Sequence, residues 1–245
     1  YHRDLNSFPT RRSSDLNLLK EKYHLIIPDL PGFGESEKIR TYNIHTYSEW
    51  INGFVSQLNL TLYKTQVWGI SLGGVIALHL KNIPYFNKII LESTPLSPKN
   101  IHTNEFHYIN MLSKISTKRL RKLKSNKIIQ YLILESYLIL KPKSKREIPK
   151  ELILKYIRES NVNALLKVSK LILDPDFYYT TKDMNIFQRN TNILTVYDQA
   201  DPTVWFRDIR KELPIKPKDI LKTRIGTHVP SLHNTKSVLK RLEIV

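Results

Sequence analysis

The chain contains no cysteine among its 245 residues. This absence excludes disulfide bonds, thiolate metal sites and a cysteine nucleophile. It is compatible with a reducing compartment, and we expect a cytoplasmic protein. The sequence also has no apolar run long enough to span a membrane: residues 128–140 are strongly apolar but too short, and they contain Gln130 and Glu135. They predict a buried helix instead.

Acidic residues are scarce, with 22 Asp and Glu against 39 Lys and Arg, so the formal net charge is +17. Between Lys99 and Lys170 there are 17 Lys and Arg but only five Glu, which accounts for +12 of that charge. The basic run at 118–124 has no interleaved aromatic side chains to stack on bases. We therefore expect no specific nucleic-acid partner and a solvated basic surface, with a weak contact to an anionic membrane surface left open. The sequence indicates no oligomeric state.

Residues 1–16 show no apolar periodicity. The stretch SFPTRRSSDL at 7–16 resembles the translation of a common short-read sequencing adapter. We expect residues 1–16 to be a disordered artefact of sequence assembly; the alternative is a natural basic arm. Resequencing the genomic locus decides between them. If the artefact replaced coding sequence, the first strands of the domain are missing from the chain.

The remaining chain alternates between strand and helix patterns. Short apolar runs predict strands at 23–27, 65–68 and 88–91, with helices between them. A capping box formed by Thr46 and Glu49 is expected to begin the first of these helices. Two more strands at 192–197 and 221–225 enclose a helical stretch at 204–213, and 235–242 is helical in pattern. The alternation predicts an α/β fold with a mostly parallel sheet flanked by helices.

The middle of the chain is helical in pattern almost throughout, with breaks at prolines. We therefore predict a discontinuous core over 17–95 and 191–245, into which an all-helical cap is inserted at 96–190.

One motif points to chemistry. Gly69-Ile70-Ser71-Leu72-Gly73, followed by Gly74, is a G-x-S-x-G match between a predicted strand and a predicted helix. In that setting the serine sits on a sharp turn, and small neighbours let the helix pack closely against the strand. The turn exposes the hydroxyl at the carboxyl edge of the sheet, where ligands bind in open parallel sheets. A structural serine in a glycine-rich turn is the plain alternative.

Four segments together resemble the α/β-hydrolase superfamily. The stretch PDLPGFGES at 28–36 looks like the loop after its fourth strand, and 69–74 like its nucleophile elbow. Residues 192–204 resemble its seventh strand and acid loop, and GTHVP at 226–230 its histidine loop. The order of serine, aspartate and histidine along the chain is the one that this fold uses. The resemblance implies a serine hydrolase with a helical cap.

The resemblance implies roles for particular residues. Ser71 would be the nucleophile, His228 the general base and Asp201 the acid, while the backbone N–H of Leu72 would donate to the oxyanion. Asp198 is an alternative acid because it stands where the family usually has glycine, three residues before the acid. Glu92, at the end of another predicted strand, is a more distant one.

The resemblance also sets the expected reaction. It implies cleavage of a carboxylic ester, thioester or amide, with a small acyl compound as substrate. No metal-ligand spacing or dinucleotide fingerprint occurs, so we predict no cofactor and no metal. The family's second oxyanion donor follows its third strand in a His-Gly motif, and none precedes Tyr23. We therefore expect the chain as it stands to be poorly soluble or inactive. A non-catalytic ligand-binding member of the same fold is the alternative function.

Overall fold

The structure is a computed structural model that describes residues 18–33, 36–58, 60, 64–80, 86–126, 162–178, 192–212, 219–226, 228–233 and 235–242. The predictions made for residues 1–16 and 128–140 lie outside these ranges. Numbered in chain order, the strands are β1 (Thr65–Ile70), β2 (Phe86–Glu92), β3 (Asn192–Asp198) and β4 (Ile220–Thr223). The helices are α1 (Ile44–Ser56), α2 (Leu72–Leu78), α3 (Thr103–Lys114), α4 (Thr117–Ser125), α5 (Val162–Leu173), α6 (Phe206–Glu212), α7 (Pro230–His233) and α8 (Thr235–Arg241).

The described strands form one sheet in the order β1-β2-β3-β4, and every neighbouring pair is parallel. The pairing of β2 with β3 joins the two ends of the chain, as the sequence predicts. Ile70 is in register with Glu92, and Glu92 with Val196, so the carboxyl ends of the first three strands lie level. Loops that follow these strands therefore meet at one edge of the sheet.

Helices cover both faces of the sheet because the strands are apolar on both sides. Alternate residues of β2 show this: Ile89 and Leu91 pack into a cluster with Leu78 of α2. Ile90 faces the other way and packs with Leu239 of α8. All five side chains are almost fully buried. A strand that is buried on both faces reads as a continuous apolar run, and this is why β2 was recognisable in the sequence.

The predicted strand at 23–27 is wrong. These residues have no strand assignment, and Ile26 and Ile27 are 42% and 53% exposed. Tyr23 and Leu25 instead pack on the edge of the α8 cluster. Extended backbone becomes a strand only when a neighbouring strand satisfies its hydrogen bonds, and no described strand pairs with this segment. The segment is apolar because Tyr23 and Leu25 pack against this cluster, and not because it forms a strand of the sheet.

The predicted capping box at the start of α1 is also wrong. The helix begins at Ile44, and its N-cap is Asn43, whose Oδ1 accepts a hydrogen bond from Thr46 N at 2.8 Å. The Thr46 hydroxyl donates to the same oxygen at 2.9 Å. Asparagine is among the best N-cap residues because its short side chain reaches the free N–H groups of the first turn. Thr46 is thus inside the helix, and Glu49 lies beyond its first turn.

Helices α3, α4 and α5 and a 3₁₀ turn at Pro175–Phe177 lie in the middle of the chain, where the sequence predicts helix. Both α3 and α4 pack against α5, and Leu120 is buried against Leu166. The other side of α4 carries the exposed cations Lys118, Arg119 and Arg121. No helix in the described part of the chain is long and apolar enough to cross a membrane. The cap boundaries at 96 and 190 stay a prediction.

Candidate active site

Ser71 lies on the turn between β1 and α2, with φ 52° and ψ −116°. A non-glycine residue in this positive-φ region carries strain of about 1–3 kcal/mol, which the surrounding structure must hold in place. Here the Ser71 N–H donates to the carbonyl of Glu92 on β2 at 2.9 Å. On the helix side the Ser71 carbonyl accepts from Gly74 N at 3.0 Å. Hydrogen bonds on both sides of the turn therefore fix its backbone.

Two of the three glycines around Ser71 are required by close packing. A Cβ atom on Gly69 would lie 2.6 Å from the Gly73 carbonyl oxygen and from the Gly74 Cα. A Cβ atom on Gly74 would overlap the Thr94 hydroxyl and lie 2.8 Å from its Cβ and Cγ2 atoms. At Gly73, by contrast, a Cβ atom would meet nothing within 4 Å. The close approach of α2 to the sheet thus depends on Gly69 and Gly74, and not on the last glycine of the pentapeptide.

His228 and Asp201 are in direct contact. The Nδ1 atom of His228 lies 2.9 Å from Oδ2 and 3.1 Å from Oδ1 of Asp201. The Asp201 side chain is 1% exposed and the His228 side chain 21%. Asp201 Oδ1 also accepts from Thr203 N at 2.7 Å and Val204 N at 3.1 Å, so the loop after β3 orients this carboxyl. A buried carboxyl bonded to Nδ1 leaves Nε2 of the imidazole as the nitrogen available for proton transfer.

Asp198, the alternative acid, has other partners. Its Oδ1 atom accepts from Ala200 N at 2.8 Å and Gly226 N at 3.0 Å. Its Oδ2 atom accepts from Ile225 N and the Thr223 hydroxyl, both at 2.6 Å. The carboxyl is fully buried. Asp198 therefore ties the end of β3 to the loop that leads from β4 to His228.

The loop before His228 turns at Gly226, where φ is 80°. Glycine adopts this left-handed conformation without the steric cost that a Cβ atom would add. The turn directs the Gly226 N–H at Asp198 and carries the chain back towards Asp201. This explains in physical terms why a glycine stands two residues before the histidine.

Glu92 is a further buried carboxyl at the same edge of the sheet, and it is 0% exposed. Its Oε1 atom accepts from Ser231 N at 2.8 Å. Its Oε2 atom accepts from the Ser231 hydroxyl at 2.9 Å and from Trp68 Nε1 at 3.0 Å. Burial raises the pKa of Glu92, while these hydrogen bonds and the charge of His228 oppose that rise. Glu92 makes its hydrogen bonds to Ser231 and Trp68, whereas His228 Nδ1 is bonded to Asp201.

Each residue proposed from the sequence lies shortly after the carboxyl end of a strand: Ser71 after β1, Glu92 at the end of β2, Asp201 after β3 and His228 after β4. Leu72 is the first residue of α2, where backbone N–H groups have no partner within the helix. Sequence reasoning missed the contact between Glu92 and Ser231. The available signal was weak: a charged residue at the end of an otherwise apolar strand.

Comparisons with known proteins bear on the fold of the chain. The family model described as alpha/beta hydrolase fold matches residues 11–121. YugF, an uncharacterized hydrolase of Bacillus subtilis (strain 168), is 39% identical over 77 residues. That match covers 30% of this chain and 28% of YugF.

Solved structures extend the likeness over nearly the whole chain. A thermophilic esterase from Thermogutta terrifontis superposes with a TM-score of 0.66 at 16% identity, covering 95% of this chain and 83% of the esterase. MenH from S. aureus also gives a TM-score of 0.66 at 16% identity, covering 94% of this chain and 88% of MenH. At such identities the superpositions speak for the fold alone. Together with the family match over residues 11–121 and the order of the four strands, they show that this chain has the α/β-hydrolase fold.

Proposed function

We propose that this protein is a serine hydrolase that cleaves a carboxylic ester, or a related thioester or amide, through an acyl-enzyme on Ser71. The observation that carries the proposal is the His228–Asp201 pair, with 2.9 Å between Nδ1 and Oδ2, at the sheet edge where Ser71 is held at φ 52°. This arrangement fits nucleophilic catalysis because a serine hydroxyl needs a base, and the base needs a group that orients it.

The proposed reaction has two halves. The Ser71 oxygen attacks the carbonyl carbon while His228 takes the hydroxyl proton, and Asp201 stabilises the imidazolium that forms. The tetrahedral intermediate then collapses as His228 gives that proton to the leaving alcohol, which leaves an ester on Ser71. Water, deprotonated by His228, attacks this ester and releases the carboxylic acid. The Leu72 N–H donates to the oxyanion in both halves.

The substrate class rests on weaker support. Small carboxylic esters and acylglycerol-like lipids are the substrates we propose, since proteins of similar fold include esterases. A serine at the elbow, where epoxide hydrolases and haloalkane dehalogenases carry aspartate, argues against those two reactions. Proline iminopeptidases, carbon–carbon bond hydrolases and acyltransferases use the same three residues, and theirs are the competing activities.

The test is covalent labelling with a fluorophosphonate, which phosphonylates an activated serine with loss of fluoride. We expect a single labelled peptide containing Ser71, and no labelling of Ser71→Ala. Ser56→Ala, at an exposed position on α1, is the matched control and should label like the wild type. Both the 245-residue chain and the protein encoded by the genomic reading frame are tested. If neither form is labelled, the protein is not a serine hydrolase and the ligand-binding alternative takes its place.

Labelling identifies the nucleophile but not the substrate. Hydrolysis of p-nitrophenyl acetate, butyrate and palmitate is measured with untreated samples of whichever form reacts with the fluorophosphonate, and it shows which acyl length is preferred. We expect acetate or butyrate to be turned over fastest if the substrate is a small ester. A preference for palmitate would favour an acylglycerol-like lipid.

A further inference from the structure

Glu92 contacts both halves of the proposed catalytic machinery. Its main-chain carbonyl accepts the Ser71 N–H at 2.9 Å, on the strained turn that presents the nucleophile. Its side chain accepts Ser231 N at 2.8 Å, at the start of the short helix that follows His228. A single residue at the end of β2 therefore holds the backbone of the nucleophile and the segment that carries the base.

The side chain of Glu92 does not replace Asp201. The Nδ1 atom of His228 is bonded to Asp201, and the oxygens of Glu92 are occupied by Ser231 and by Trp68. Glu92 can act on His228 only through the Ser231 segment and through its charge. It is therefore a positioning residue and not a member of the triad.

A carboxyl at this position is costly for the fold. It is completely buried, and the three groups that bond to it are neutral. Burial of an acid without a cationic partner disfavours its charged form, whereas an apolar side chain of similar volume pays no such penalty. What an apolar side chain cannot do is accept hydrogen bonds from β1 and from the histidine loop at once. Nor can it place a negative charge beside the segment that carries the imidazolium, since Ser231, which bonds to the Glu92 carboxyl, lies three residues after His228.

We propose that Glu92 positions His228 relative to Ser71 by anchoring Ser231, and that its charge supports the imidazolium formed during attack. The inference rests on the proposed serine hydrolase function. It assigns this buried carboxyl a task in the reaction that Asp201 does not perform, since Asp201 bonds to the imidazole ring itself.

The main test compares Glu92→Gln with Glu49→Gln, a control at an exposed position on α1. Glutamine keeps the shape of glutamate, but it is uncharged and turns an N–H group towards the N–H of Trp68 or Ser231. We expect the maximal rate of fluorophosphonate labelling to fall about 10²-fold, the typical effect of a misplaced catalytic group. The concentration of reagent that gives half the maximal rate should not change.

The pH profile of labelling separates positioning from a structural role. Removing a nearby negative charge makes imidazolium less stable, so the acid limb of the profile should move to lower pH in Glu92→Gln. Trp68, Ser231 and the charge of His228 are the groups of the described residues that act on this carboxyl. A fall in rate with an unmoved acid limb would indicate a structural role and would overturn the proposal.

Two further variants cover the case in which Glu92→Gln does not fold. Ser231→Ala removes the hydroxyl bond, and Trp68→Phe removes the indole bond together with part of the ring that packs against the cluster around Ile90. Each should slow labelling measurably, by roughly two- to tenfold, because one bond to Glu92 is lost while the bond from Ser231 N to Glu92 is retained. Wild-type rates in both variants would refute the anchoring role.

Hydrogen exchange keeps this proposal distinct from the serine hydrolase proposal. The Ser231 amide should exchange faster in Glu92→Gln than in the wild type, whether or not the protein labels. Wild-type protein that is not labelled overturns the hydrolase function. Wild-type protein that labels, with a folded Glu92→Gln variant that labels at the same rate, overturns only the role of Glu92.

Discussion

Replacing Asp198 and Asp201 separately by asparagine should separate folding from catalysis, because the two carboxyls accept different hydrogen bonds. Oδ2 of Asp201 is the oxygen nearer to His228 Nδ1, and Oδ1 accepts from the backbone N–H groups of Thr203 and Val204. Among the described residues, Asp198 accepts from Ala200 N in the loop that follows it, from the Thr223 hydroxyl at the end of β4, and from two backbone N–H groups after β4. The two residues lie three positions apart, so both variants change the same loop by one atom each.

The Asp198→Asn variant should be unstable. Whichever way the amide faces, its NH₂ group meets at least one backbone N–H that Asp198 now accepts, and two on the Oδ1 side. An unsatisfied donor costs about 1–3 kcal/mol where it is buried, as at Gly226, and less where it is partly buried, as at Ala200 and Ile225, so we expect a loss of up to roughly 6 kcal/mol. One kcal/mol lowers the Tm of a domain of this size by about 2–4 °C. The expected fall is therefore several degrees, up to about 20 °C.

The Asp201→Asn variant should be stable but slow. Its remaining oxygen can keep the bonds to Thr203 N and Val204 N, so stability should change by less than about 1 kcal/mol. Its NH₂ group would face Nδ1 of His228 and favour the tautomer with the proton on Nε2, which cannot accept the serine proton. The loss in rate is about 10⁴-fold where an acid of this kind is replaced by its amide.

The assay measures both properties on the same samples. Thermal unfolding gives Tm, and fluorophosphonate labelling at about 15 °C gives the rate per folded molecule, well below the expected transitions. Slow labelling of Asp198→Asn with an unchanged Tm would falsify the assignment and make Asp198 the acid. Wild-type labelling by Asp201→Asn would exclude a role for Asp201 altogether.

Three further predictions concern the scaffold. Gly74→Ala should destabilise the protein by about 1–3 kcal/mol because the new methyl group overlaps Thr94. Gly73→Ala should be neutral or stabilising by up to about 1 kcal/mol. Urea unfolding measures the free energy of unfolding of both variants, and a more stable Gly74→Ala than Gly73→Ala would contradict the prediction. Asn43→Ala should cost about 1 kcal/mol as a lost N-cap, which the same assay detects. Burial raises the pKa of Glu92, so its contribution to stability is present below the ordinary glutamate value of about 4.3 and is lost as pH rises through the raised value. Urea unfolding from about pH 4 to pH 8 should therefore show wild type losing stability relative to Glu92→Gln.

The four strands of the sheet were predictable because the apolar residues in each one show which of its faces are buried. A run that is apolar on both faces, such as β2, is recognisable wherever its neighbours lie. Residues 23–27 show the limit of this signal, since a short apolar run is also compatible with an unpaired segment on the flank of a cluster. The start of α1 shows a second limit. Both Asn43 and Thr46 are good N-cap residues, and only the backbone geometry decides between them.

The candidate site was predictable to the extent that topology determines it. Parallel strands bring their carboxyl ends to one edge, so loops after β1, β3 and β4 had to meet once the strands were identified. The choice between Asp198 and Asp201 was not determined in this way, because both lie at that edge and only the directions of their side chains differ.

The role of Glu92 was less predictable still. Its partner Ser231 lies 139 residues away, beyond a predicted cap and two strands. No periodicity or local spacing links two such positions. The candidate reacting residues could be found from the sequence because they follow strands whose carboxyl ends meet at one edge of the sheet. The buried polar side chains that position them are found only in the tertiary structure.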